Sequence, residues 1–141
     1  DIVSITGKFV IENSEQYITI ASATKVDKKD SSDEFNLELI PLNTPHLMFN
    51  TTVICDLNTM GETIHFGVET KEYNSCTGNR DIYMPITVFY PIQHTRFNHL
   101  RANLKIGKPL MISGFLHIIK STTIMVEATD IDYLRQEINY N

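Results

Sequence analysis

The stretch that most restricts what this chain can fold into is Lys108 to Leu134, KPLMISGFLHIIKSTTIMVEATDIDYL. Leu110 to Ile119 is dense in β-branched and aromatic residues and is broken by a single glycine, Gly114. The text turns polar between Ile118 and Thr123, after which Ile124, Val126 and Ala128 alternate with Met125, Glu127 and Thr129. Alternation on either side of a short polar connection predicts a β-hairpin with one buried face. A glycine inside a strand predicts a bulge or a sharp bend, the device that takes a strand round the corner of a small barrel.

The start of the chain repeats this text. Residues 2–11, IVSITGKFVI, are an apolar run with a central glycine, Asn13 to Gln16 reads as a turn, and Tyr17 to Val26 alternates. Ile5-Thr6-Gly7 matches Ile112-Ser113-Gly114, Ile18 and Ile20 match Ile124 and Val126, and Ala23 to Asp27 matches Ala128 to Asp132. One extra residue separates the matched strand from the Ala-Thr pair. Two explanations stay open: the closing strands of a preceding, truncated unit, or two edge hairpins with similar β-rich text. Asp27 to Glu34 is a charged, solvated linker. Phe35 to Ile40 alternates weakly and is interrupted by Pro41 and Pro45.

A second unit begins near His46. Thr51 to Leu57 is predicted as its first strand, with a turn through Gly61. Along Thr63 to Tyr73, Ile64, Phe66, Val68 and Thr70 face one way; His65, Gly67, Glu69, Lys71 and Tyr73 face the other. Asn74 to Asp81 is a loop by composition. In the third strand, Ile82, Met84, Ile86, Val88 and Tyr90 share one side; Tyr83, Pro85, Thr87 and Phe89 share the other. Pro85 removes a ladder donor and predicts an edge or a bulge there. Thr95 is a candidate N-cap for a short helix carrying Phe97, Leu100 and Leu104, with Gly107 as its stop signal.

Three strands, a helix and a glycine-kinked hairpin, over roughly Met48 to Leu134, resemble the oligonucleotide/oligosaccharide-binding (OB) fold. The resemblance rests on element order. It implies an all-β chain with one short helix: an OB-like five-stranded Greek-key barrel preceded by an N-terminal β-hairpin. The expected division is 1–46 for hairpin and linker, 47–134 for the barrel and 135–141 for a tail.

Composition removes several alternatives. At 141 residues, 42% of them apolar, the chain is one ordinary globular domain with an extension. No apolar run approaches the roughly 18 residues of a membrane helix. Cys55 and Cys76 have no metal-site or disulfide-framework spacing and read as unpaired thiols. That suits an intracellular setting, nuclear or cytoplasmic. Because the chain starts at Asp1, it is expected to be a piece of a longer one. Phosphate loops, nucleophile elbows and HExxH or CxxC pairs are missing from the text, the five histidines are scattered, and no catalytic residue, metal or cofactor is predicted.

A binding role has more support. The net charge of −5 argues against tight non-specific nucleic-acid binding, but the charge is uneven. Residues 1–46 carry four Lys/Arg against eight Asp/Glu, 4 − 8 = −4, whereas 71–120 carry seven against two, 7 − 2 = +5. OB barrels that bind single strands combine a basic groove with exposed rings on which bases stack. The resemblance puts that groove across the second and third strands. With the inward set filling the barrel, Tyr83 and Phe89 turn outward, beside Lys71 and Tyr73, with Arg80 in the loop and Lys120 in the last hairpin. These six are the candidate site for single-stranded DNA or RNA. The competing expectation is that Tyr83 and Phe89 pack beneath the N-terminal hairpin. The competing function is a protein-assembly module that docks a second protein chain or another copy by strand addition.

Overall fold

The alternating stretches form seven strands in a computed structural model that describes residues 2–26, 44–119 and 123–134. β1 (Val3–Glu12) and β2 (Glu15–Lys25) make a separate antiparallel hairpin. β3 (His46–Met60), β4 (Thr63–Asn74), β5 (Asn79–Pro91), β6 (Pro109–Ile119) and β7 (Thr123–Tyr133) close into a barrel in the order β3-β4-β5-β7-β6. β6 pairs back to β3, which closes the barrel; among the described pairings only β5–β7 is parallel. A 3-10 turn (Thr95–Phe97) and the short helix α1 (Asn98–Asn103) join β5 to β6.

Side-chain phase follows the alternation. Ile64, Phe66, Val68 and Thr70 of β4 are buried, as are Ile82, Met84, Ile86, Val88 and Tyr90 of β5. Leu110, Ile112 and Leu116 of β6 and Ile124, Val126, Ala128 and Ile131 of β7 complete the lining. Phe97 and Leu100 close one end, with the Phe97 and Tyr90 ring centroids 4.8 Å apart. The Tyr90 hydroxyl is sealed in without a well-formed hydrogen bond among the described residues, and burial raises its phenol above the ordinary tyrosine value.

The glycine-marked bend is present. The β6–β7 register shifts between Ser113 and Gly114, and Thr129 is the residue left out of the ladder. A side chain at Gly114 would run into the Glu127 carbonyl oxygen, so only glycine lets the two backbones approach this closely.

Three details differ from expectation. The first barrel strand runs from His46 to Met60 rather than Thr51 to Leu57. Its early half pairs β6 and its later half β4, with two register shifts against β4, so its alternation is broken where it changes partners. Thr95 does not cap the helix: the first turn is 3-10 and has no side-chain cap. Pro85 meets the edge half of its expectation: it causes no bulge and lies one residue before the β5–β7 ladder starts at Ile86, where that edge of β5 has no described partner.

The third difference concerns the repeat. β1–β2 shifts register between Thr6 and Gly7, as β6–β7 does between Ser113 and Gly114. Gly7 lies opposite Ile20, and Gly114 opposite Ala128. Ile20 therefore corresponds to Ala128, and Ile18 to Val126, two residues on from the text match. A two-residue slip keeps every side chain on its face, so alternation alone cannot detect it.

The hairpin rests against the barrel mainly through the Val10 side of β1, with Phe9 and Ile11 of the other side partly buried against the core. Val10 is buried, the Ile11 N–H donates to the Met84 sulfur at 3.2 Å, and Lys8 pairs with Glu72 at 3.1 Å. Thr77 donates to Glu12 at 2.8 Å, and the Thr19 and Ser75 hydroxyls share a hydrogen bond of 2.8 Å. The docking is polar around one apolar plug.

Candidate nucleic-acid interface

β4 and β5 form a long hairpin whose outer side carries the predicted residues. Antiparallel pairing sets Lys71 opposite Tyr83, Glu69 opposite Pro85, Gly67 opposite Thr87 and His65 opposite Phe89. Tyr83 points outward and is 56% exposed. The Lys71 ammonium lies 5.9 Å from the Tyr83 ring centre and 3.2 Å from the Asp81 carboxylate. Asp81, and then Tyr83, hold the Lys71 amine above its ordinary range, so the cation is secure but shared. Arg80, at the start of β5, is exposed.

Tyr73 is 45% exposed at the far end of β4, with the Lys8 ammonium of the hairpin 6.0 Å from its ring centre. Lys71, Tyr73, Arg80 and Tyr83 thus lie at one end of the β4–β5 hairpin. Lys120 lies outside the described residues.

Phe89 belongs to a different patch. It is six residues from Tyr83 along β5, roughly 20 Å at about 3.3 Å per residue. It is half-buried on the outer wall between two imidazoles. His65 stacks on it with centroids 5.6 Å apart and planes at 21°, and His117 lies on another side at 5.9 Å. The His117 ring nitrogen is 3.7 Å from Glu127. His117 and Met125 also line a shallow cleft beside Phe89. Neither ring lies under the N-terminal hairpin, whose tip residues Asn13 and Ser14 only border a small cleft beside Tyr83.

His65 and His117 are the residues that sequence reasoning missed. The signal was available for His65. In an antiparallel hairpin the numbers of facing residues sum to a constant, and 71 + 83 and 65 + 89 both equal 154. His117, on β6, reaches Phe89 across the intervening β7, which pairs antiparallel with β6 and parallel with β5, and no local pattern announces that contact.

No known family description and no curated protein matches the chain. Solved structures do. The small single-stranded DNA-binding protein from Streptomyces coelicolor superposes with a TM-score of 0.52 at 14% identity, covering 66% of this chain and 94% of that one. The fold is the OB fold. A mitochondrial single-stranded DNA binding protein from S. cerevisiae, Rim1, gives 0.47 at 12% identity, over 67% of this chain and 100% of its own. The N-terminal domain of PriB from Thermoanaerobacter tencongensis, described as dimeric, gives 0.44 at 20% identity, over 67% and 100%. The 66% of this chain covered by the Streptomyces coelicolor structure is about the size of the barrel alone.

Proposed function

We propose that the OB barrel binds single-stranded DNA along the outer side of β4 and β5, without catalysis. The observation that carries this reading is Tyr83: a large ring more than half exposed on the barrel wall, with a lysine ammonium beside it. A ring in that position supplies a π-face for any base, and the ammonium supplies a phosphate contact. Tyr73 and Arg80 extend this station. Phe89, flanked by His65 and His117, is a second station about 20 Å along the strand. The likeness to a protein described as single-stranded DNA-binding points the same way.

Fluorescence titration with labelled DNA and RNA oligomers at two salt concentrations tests the proposal. Binding should weaken as salt rises, because phosphate contacts release counterions. Each stacked base contributes about 1–3 kcal/mol, so Tyr83→Ala combined with Phe89→Ala should weaken binding at least about thirtyfold. Binding that ignores both salt and the double substitution would overturn it. A stable oligomer that does not bind DNA or RNA oligomers would favour the protein-assembly reading instead.

A further inference from the structure

The two bulged hairpins have the same build and opposite surroundings. Around Gly7 the partners are Phe9 with Ile18 and Ile5 with Ala23; around Gly114 they are Leu116 with Val126 and Ile112 with Ile131. Each bulge leaves one residue of the second strand out of the ladder, Ala21 in β2 and Thr129 in β7. A side chain on either glycine would strike a carbonyl oxygen of the partner strand, Thr19 in one case and Glu127 in the other. In this register the two hairpins differ in length only in their connections: two residues between Glu12 and Glu15, three between Ile119 and Thr123.

The sides these hairpins bury are reversed. Leu110, Ile112, Val126 and Ala128 line the barrel at 0–3% exposure. Their counterparts Val3, Ile5, Ile18 and Ile20 are 50–58% exposed. The hairpin instead meets this barrel mainly through Lys8, Val10, Glu12 and Thr19, the side that corresponds to a barrel's outer wall, while Phe9 and Ile11 on the other side are only partly buried against it. In the barrel, β6 is completed by antiparallel β3, and β7 by parallel β5. The corresponding edges of β1 and β2 pair with no strand among the described residues.

We propose that β1–β2 is the closing hairpin of a second OB barrel, completed by polypeptide that precedes residue 1 in the parent chain. The occupant is defined by the template: a three-stranded segment presenting one strand antiparallel to β1, another parallel to β2, and apolar side chains toward Val3, Ile5, Ile18 and Ile20. It needs about 60 residues, since His46 and Pro109 are 109 − 46 = 63 apart. The two barrels then pack outer wall to outer wall through Val10.

Hydrogen exchange on the 141-residue chain and on the parent chain is the test. In the parent, amides of β1 and β2 should exchange at least about a hundredfold more slowly, approaching those of β6 and β7. Ile5→Asp with Ile20→Asp should abolish that protection in the parent and leave barrel exchange in the 141-residue chain unchanged. A parent chain with no such preceding segment, or equal exchange from β1–β2 in both proteins, would overturn the proposal. So would protection in the 141-residue chain that rises with concentration and is lost on Ile5→Asp, because a second copy would then be the occupant.

Discussion

Asp81 sets how much of Lys71 a ligand can use. Its carboxylate lies 3.2 Å from the ammonium and competes with any phosphate. Asp81→Asn should therefore tighten single-strand binding several-fold, while Lys71→Ala should flatten the log–log salt dependence by about one unit. Titrations over a salt series read both. Tyr90 gives a prediction about stability. Its hydroxyl is buried without a well-formed hydrogen bond among the described residues, and its pKa is raised by burial and opposed in part by the nearby Arg101. A phenol whose folded pKa exceeds its unfolded value near 10 keeps its proton longer in the native state, so native stability falls as pH rises above about 10. Below that pH both states are protonated and the effect vanishes. Tyr90→Phe should change stability at pH 7 by about 1 kcal/mol or less and make the alkaline limb shallower. Urea unfolding at pH 7 and at pH above 10 measures both outcomes.

The glycine-bulged hairpin is the informative element, and its two copies separate local geometry from global consequence. Gly114→Ala forces a methyl group onto the Glu127 carbonyl and the Val126 side chain inside the closed barrel. It should cost about 2–4 kcal/mol or prevent folding, within the range of severe core substitutions. Gly7→Ala meets the same obstacle at Thr19 in a hairpin outside the barrel, so the barrel's melting temperature should move far less. Thermal melts of the two variants decide it. Strand existence and phase were legible because one face of each barrel strand is buried, which imposes a period of two. The outward setting of Tyr83 and Phe89 followed from that. Partner choice was not legible. β3 switches from β6 to β4 part-way along, and His117 meets Phe89 across the intervening β7, and neither contact is written in a local window. The repeat was visible, but its register was not.

At the scale of the molecule, the chain is acidic, and two of the described lysines at the proposed face are already paired. Lys71 is shared with Asp81 and Lys8 with Glu72, and Glu69 sits mid-way along the β4–β5 face. Affinity should therefore come more from stacking than from charge, with a modest salt slope for an OB module. The hairpin docks through a small contact with Val10 at its centre. Val10→Ala should loosen it, costing about 1–2 kcal/mol and speeding exchange in β1 and β2 more than in β6 and β7. Closure through the β3–β6 ladder also governs how the chain is made. Thr51 pairs with Leu110, 110 − 51 = 59 residues later. During synthesis the early half of β3 therefore waits for nearly the whole domain to emerge before it is covered. A ribosome stalled before Pro109 would leave that strand edge open to other nascent chains, so the hazard of this architecture falls in the interval before its last hairpin is translated.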